Sequence, residues 1–457
     1  TKRGNSIHTI TMLNIIETPS QLEAFKLEED FEQCYVDFIQ TNENKHPNLD
    51  SLTALYIYSF KQEQGFLINF THPDALKLDI LNFDFLNEYK DILVYDKKHA
   101  MHMFDYLPYT DLQSIYYANT GKTHTLDSKP LIYSHFYRKF PSTQTNKIIP
   151  LGKLYEWCEI KRINALQITT KYSPSDTTEW YNRVLIPTLY NVEKQGIPTH
   201  EIQEVFDINS ELSLKSGLFF SLYNYQTTTG RPSNKFNNVN FMALQKESQQ
   251  RKCIVPQNDY ILEIDYDGYH PRIIGDIVGF EFDAETSVHE QLGKMYFKTE
   301  ELSKEQYAKS KELTFKQLYG GVFEEFAHLP FFDKTIDFTV SLYYRFNEEG
   351  YISLPISKRR FYKDNYNEIG PQKLFNYFIQ MSETERNMEI MYKLNEFLEN
   401  KKTKLIMYMY DAFIFDVDER DGKNIKSELD LIIRNNKFRT KAKQGSSFGE
   451  LIEIDLN

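Results

Sequence analysis

Two apolar runs, LIMYMY and FIFDV, close around one acid in the stretch Lys404 to Asp418. That acid, Asp411, would be costly to bury unless it meets a cation or a donor. A second acid, Asp265, ends the alternating run YILEID, after which Gly268 and Pro271 mark a turn into a helix. Capping that helix is the plainer use of Asp265. A plain hairpin is the corresponding use of Asp411, although Asn-Gly or Asp-Gly suits such a turn better than Asp-Ala. Lys311, Phe315 and Tyr319 are spaced i, i+4, i+8, so a helix lines them along one face. One cation and two rings in a row suit a triphosphate with a flat base stacked beyond it. A buried aromatic stripe with a snorkelling lysine would read the same way. The polar stretch Gln226 to Phe241, which holds Arg231 and Asn238, offers donors to backbone phosphates, or is an ordinary polar loop. Asn376 and Gln380, at i, i+4, follow a turn and β-like run that ends in the basic pair Arg359 and Arg360.

These side chains need a scaffold, and the chain is long enough to supply one. Its 457 residues allow two to three domains, and 41% hydrophobic with 26% charged residues is a globular composition. Three distant cysteines, Cys34, Cys158 and Cys253, have no metal-ligand spacing and point to reduced thiols inside a cell. No uncharged apolar run approaches 18 residues and no signal sequence opens the chain, so neither membrane insertion nor secretion is expected. A net charge of −12 argues against coating nucleic acid through bulk charge and leaves room for a local basic channel. The β-rich runs LTALYIYSF, GFLINF and DILVYD predict an α/β N-terminal unit. SPSDTTEW starts a helix that Gly196 ends, and from there the pattern is helix-rich with isolated strands and a final hairpin.

Taken in order, the motifs resemble the polymerase domain of family A DNA polymerases, the group of bacterial DNA polymerase I and its phage and mitochondrial relatives. The resemblance covers roughly 270 residues from about Leu185 onward. NVEKQGIP is similar to the family's E-x-x-G-[IV], and TTTGRPSN to T-x-T-G-R-L-S-S. IDYDGYHPRI resembles motif A, D-Y-S-Q-I-E-L-R; KELTFKQLYGG resembles motif B, K-x-x-x-F-x-x-x-Y-G; MYDAFIFDV resembles motif C, V-H-D-E-L-V-F-E-V.

The resemblance implies template-directed addition of dNTPs to a primer 3′-hydroxyl. Asp265 and Asp411, with the Tyr266 carbonyl, would hold two Mg²⁺ about 3.5–4 Å apart, with Mn²⁺ as a substitute. Lys311 would neutralise the triphosphate, and His289 would approach its phosphates. Phe315, Tyr319, Tyr266 and His270 complete the nucleotide-side set, while Arg231, Asn238, Arg359, Asn376, Gln380 and Tyr410 are the expected primer-template contacts. Three departures stand out. His270 replaces motif A's glutamate, which in the family helps to exclude the ribose 2′-hydroxyl. Tyr410 and Ala412 replace motif C's His and Glu. Tyr307 stands where an arginine is expected four residues before Lys311, leaving Lys304 or Lys309 to supply a second cation.

The implied architecture is α/β and α+β multidomain: a right-hand polymerase with an antiparallel palm sheet, helical fingers and a reduced thumb, plus an N-terminal RNase H-like unit. The expected division is 1–150 exonuclease-like, 151–230 linker and reduced thumb, and 231–457 palm and fingers, the fingers at about 280–345. Only about 34 positions separate Gly196 from Gly230, where the family places a long helical thumb. With the net charge, this predicts weak, distributive DNA binding unless a processivity factor or other replisome partner holds the enzyme on its template. In the N-terminal part, ILVYDKKHAMHMF and YTDLQSIYYAN faintly resemble N-x-K-[YF]-D and D-T-M-L-x-S-Y. Ala100 replaces one acid and YIYSF lacks a D-x-E, so Asp111 alone predicts a scaffold without nuclease activity or proofreading. The expected location is the cytoplasm, that of a host if the chain is phage-encoded, with an organelle left open. A single-subunit RNA polymerase and a non-catalytic nucleic-acid-binding relative are the rival readings.

Overall fold

The computed structural model describes residues 13–126, 145–246, 248–435 and 437–456, with backbone only at 80–83. The parts of the expected N-terminal unit at 1–12 and 127–144 lie outside the described residues. Two compact units divide the chain, residues 1–113 with 124–173, and 114–123 with 174–457. None of the described helices is long and apolar enough to cross a membrane.

The first unit is built on a six-stranded mixed sheet. Its strands are β1 (Ile15–Ile16), β2 (Gln33–Gln40), β3 (Leu52–Ser59), β4 (Gln64–Asn69), β5 (Asp91–Val94) and β6 (Tyr109–Asp111), in the order β1-β4-β3-β2-β5-β6. β2, β3 and β4 form an antiparallel meander, while β5, β6 and β1 add in parallel. The largely apolar and buried runs of β3 and β5 are what a sheet buried on both faces requires. Against this sheet pack α1 (Pro19–Glu28), opened by a Thr18–Gln21 capping box, and α2 (Lys97–Met103). α3 (Leu112–Thr120) carries the chain from the first unit into the second. α4 (Leu151–Lys171) buries Leu154, Trp157, Cys158 and Ile168, and Tyr155 donates to the Gly65 carbonyl at 3.1 Å. The first unit thus runs to Ser173, and the stretch after 150 that the sequence suggested as linker is this helix.

The second unit is organised by a five-stranded antiparallel sheet and by helices. A π-turn over Tyr181–Leu185 leads into α5 (Ile186–Gln195), which ends at Gly196 with φ +69°. Residues 197–230 hold short strand pairs and two four-residue helices, Ile202–Val205 and Ser210–Ser213. The sheet consists of β7 (Tyr260–Tyr266), β8 (Lys404–Met409), β9 (Ala412–Val417), β10 (Thr440–Gly445) and β11 (Leu451–Ile454), ordered β8-β9-β7-β10-β11. Alternation along the central β7 sends Leu262, Ile264 and Tyr266 to one face and Ile261, Glu263 and Asp265 to the other.

The helical part follows β7: α6 (Tyr269–Val278), α7 (Val288–Phe297), α8 (Lys304–Gly320) and α9 (Pro330–Glu349), then the hairpin Tyr351–Ser353/Arg360–Tyr362 and α10 (Pro371–Leu398). α11 (Ile425–Arg434) precedes β10. One core, with Leu292, Tyr296, Leu318, Phe331, Phe332 and Phe346, joins α7, α8 and α9 to Phe375 and Phe378 of α10. Gly268 makes the turn from β7 into α6 at φ +66°, where any Cβ would also press Val288 at 3.1 Å. That turn sets the start of α6 directly after the acid of β7.

Candidate active site

Strand register brings the two acids together. Asp265 pairs with Ala412, so Asp411 lies one position beyond, and the Tyr266 N–H donates to the Asp411 carbonyl at 3.1 Å. Met409 pairs with Ala412, which leaves Tyr410 and Asp411 as the two turn residues between β8 and β9. Tyr410 takes φ +63°, a left-handed conformation that costs a non-glycine residue about 1–2 kcal/mol. Two contacts hold it there: Asn387 Nδ2 donates to the Tyr410 carbonyl at 2.6 Å, and the Arg231 guanidinium lies 3.6 Å from the centre of the Tyr410 ring.

Neither carboxylate is comfortable. Desolvation first, and the Asp411 charge second, push the Asp265 carboxyl up to about 8. Asp411 is raised as well, by desolvation and then by the Glu383 carboxylate, although solvent reaches it from the cleft. Asp265 Oδ1 has no hydrogen-bond partner among the described residues. A second carboxylate pair sits alongside: Glu263 accepts from Lys443 Nζ at 2.6 Å, and Asp267 from Lys441 Nζ at 3.0 Å.

The opposing wall is α8, started by a Ser303–Gln306 capping box. The Phe315 and Tyr319 rings lie nearly parallel, 7° apart with centroids at 6.0 Å, as the i, i+4 spacing requires. His289 of α7 stands 5.5 Å from Phe315. Burial, with Lys311 second, lowers its imidazole to about 4, so the ring is neutral, and its Nδ1 has no partner among the described residues.

A chain of hydrogen bonds, two of them to a carboxylate, crosses between these parts. The Tyr319 hydroxyl meets His270 Nδ1 at 2.5 Å, His270 Nε2 meets Glu383 Oε2 at 2.6 Å, and Arg231 donates to Glu383 Oε1 at 2.9 Å. Glu383 is fully buried. Burial alone would raise its carboxyl, yet His270 and Arg231 hold it below the usual carboxylate range. Against that carboxylate, His270 Nε2 carries the hydrogen.

A cleft of about 570 Å³ is lined by Asp265, Tyr266, His270, His289, Lys311, Phe315, Tyr319, Arg231, Gln380, Tyr410 and Asp411. Tyr266 offers the cleft its backbone, since its ring stacks on Tyr269 at 3.9 Å and its hydroxyl donates to the Ile433 carbonyl. Three expected contact residues lie outside the cleft. Asn376 donates to the Tyr319 carbonyl at 3.0 Å. Asn238 sits on a turn at φ +66° and donates to the Asp207 carbonyl. Arg359 is buried and donates to the Tyr117 hydroxyl and the Thr228 carbonyl, bracing the 227–230 loop. A Cβ at Gly230 would strike its guanidinium.

Sequence reasoning missed Glu383, Asp267, Lys441 and the Lys443–Glu263 pair. Glu383 had a signal: Asn376, Gln380, Glu383 and Asn387 fall at i, i+4, i+7, i+11, a polar stripe along one face of α10.

Among the described residues there is no group of three or more His, Cys, Asp and Glu side chains arranged for a metal. Two carboxylates with an orphaned oxygen and raised affinity for protons nonetheless suit a hard divalent cation. Such an ion takes its remaining oxygens from water and substrate.

No protein-family model matches the chain, and no curated protein matches it in sequence. Its fold is that of a polymerase domain. Among the solved structures it resembles is the POL domain of Pol1 from M. smegmatis in complex with DNA primer-template and dNTP, with a TM-score of 0.70 over 95% of this chain and 99% of that one. Sequence identity is 15%, so the likeness is one of fold.

Proposed function

We propose that the chain is a template-directed DNA polymerase that adds dNTPs to a primer 3′-hydroxyl. The observation that carries this reading is the convergence, in a chain of polymerase fold, of Asp265 and Asp411 on one cleft floor opposite the Lys311, Phe315 and Tyr319 face of α8. When bound by Asp265, Asp411 and the Tyr266 carbonyl, two Mg²⁺ ions would lower the pKa of the 3′-hydroxyl and steady the leaving pyrophosphate. The chain's own groups do the rest. Lys311 approaches the triphosphate as a point charge, and neutral His289 offers a donor beside it. Phe315 and Tyr319 give the incoming base a flat surface, while Gln380, Arg231 and Tyr410 face the primer-template. His270, tied on both ring nitrogens, stands beside the sugar position.

The first unit serves as an exonuclease-like scaffold without proofreading in this reading. Two of its acids are engaged by the protein: Asp111 accepts from the Lys97 N–H at 2.7 Å, and Asp37 is ion-paired with Lys161.

Primer extension with Mg²⁺, using the intact chain and the Asp411→Ala variant with dNTPs and rNTPs in parallel, tests the proposal. Extension by the intact chain that is lost in the variant is expected, and extension surviving in Asp411→Ala refutes it. Preference for rNTPs would favour the RNA polymerase reading.

A further inference from the structure

Position 307 of α8 brings a hydroxyl where the resemblance calls for a second phosphate-binding cation, and that hydroxyl is engaged by Ser287 Oγ at 3.1 Å. Neither lysine that the sequence offered instead faces the cleft. Lys309 is paired with Glu312 at 3.0 Å on the solvent side of α8, and Lys304 is the first residue of that helix.

The sheet supplies what the helix lacks. β10 pairs antiparallel with β7, and Lys441 stands directly opposite Asp265. Directly opposed residues share a face of the sheet, with Cβ atoms about 4.5–5.5 Å apart, so the Lys441 side chain rises on the face that carries the acid. Lys441 lines the cleft together with Tyr307, His289 and Lys311. One hydrogen of its ammonium is directed to Asp267 Oδ1 at 3.0 Å, and the group is 38% exposed. An ammonium has three hydrogens, so two remain for phosphate oxygens. Neighbouring Lys443 is drawn to Glu263 at 2.6 Å, and Arg251 lies against the Phe448 ring at 4.4 Å.

We propose that Lys441, carried by β10 and aimed by Asp267, is the second cation of the triphosphate site, supplying from the sheet the charge that Tyr307 does not supply from α8. This inference rests on the polymerase reading above. Asp267 is the positioning residue: it balances the lysine's charge before the nucleotide arrives and points the ammonium across the cleft mouth.

The test uses the full chain and its Lys441→Gln, Lys441→Arg and Lys309→Ala variants. Equilibrium binding of dATP and of inorganic tripolyphosphate is measured beside primer-template binding. Lys441→Gln is expected to weaken both phosphate ligands by about tenfold, the loss of one charge-assisted contact. Primer-template affinity and dAMP binding should stay unchanged, Lys441→Arg should restore most of the loss, and Lys309→Ala should do nothing. Lys441→Met, which keeps the aliphatic stem, replaces the glutamine variant should that one unfold. Affinities for dATP and tripolyphosphate within twofold of the intact chain overturn the inference. If tripolyphosphate binding depends on Lys441 while the intact chain extends no primer, the phosphate site stands and the polymerase reading falls.

Discussion

Replacing Asp265 by asparagine should stabilise the protein while abolishing its activity. Desolvation and the neighbouring Asp411 move the Asp265 carboxyl from 3.8 to about 8 in the folded chain. A carboxyl raised on folding binds its proton more tightly folded than unfolded, so the wild type loses stability as pH climbs between those two values and is at its worst above 8. At about 1.4 kcal/mol per pH unit the ceiling is roughly 5–6 kcal/mol. Asp265 is partly exposed to an open cleft, and Lys443 and Lys246 offset part of the cost, which reduces the expected gain to about 1–2 kcal/mol. The assay is thermal unfolding of wild type and Asp265→Asn in EDTA at several values between pH 5 and 9. The advantage of the variant should grow with pH and level off above 8. Added Mg²⁺ should raise the midpoint of the wild type but not of the variant. A variant less stable than wild type at pH 8.5, or an advantage independent of pH, would refute the electrostatic account of this site.

Three further outcomes are expected. Lys311→Ala should slow nucleotide addition by about 10²-fold, the scale of one lost electrostatic contact to the transferring phosphoryl group, with primer-template affinity nearly intact; loss of DNA binding instead would remove Lys311 from the nucleotide side. At the acid turn, Tyr410→Ala should cost about 1–2 kcal/mol in unfolding free energy because the stacking on Arg231 goes while the left-handed backbone stays. Tyr410→Gly should be about 1 kcal/mol more stable than the alanine variant, and equal stabilities would show the turn unstrained. Glu383→Gln keeps the shape but weakens two charge-assisted bonds at once, so chemical denaturation should register a loss of about 2–3 kcal/mol. Asp411 should then titrate lower, because Glu383 is the second cause of its elevation.

How much of this was legible in the sequence follows from the range of the interactions involved. Strands β3, β5, β7 and β9 show as apolar runs, and Gly196, Ser175 and Gly268 punctuate helices through purely local chemistry. The i, i+4, i+8 row on α8 was visible because a helix fixes its own geometry. The meeting of Asp265 with Asp411 could be expected only through the resemblance of their motifs and not from local pattern, since it depends on the register between β7 and β9, strands far apart in sequence. Lys441 was hidden for the same reason: only the pairing of β10 with β7 places a lysine beside an acid. Glu383 escaped because an acid in a long helix reads as solvated surface, and its partners Arg231 and His270 come from a loop and another helix. The segment Ser114–Thr123 also joins the second unit through a contact no local pattern encodes: Tyr117 receives the Arg359 guanidinium.

The polar stripe of α10 acts as a ruler. At one end Asn376 grips the Tyr319 carbonyl on α8, and eleven residues on Asn387 grips the Tyr410 carbonyl beside Asp411. At 1.5 Å per residue these grips are about 16 Å apart on a single rigid rod. A one-residue insertion or deletion between them would turn one grip about 100° away from the other and shift it along the axis. The chain can therefore change length in its loops, but not over this span without releasing either the ring-bearing wall or the acid turn.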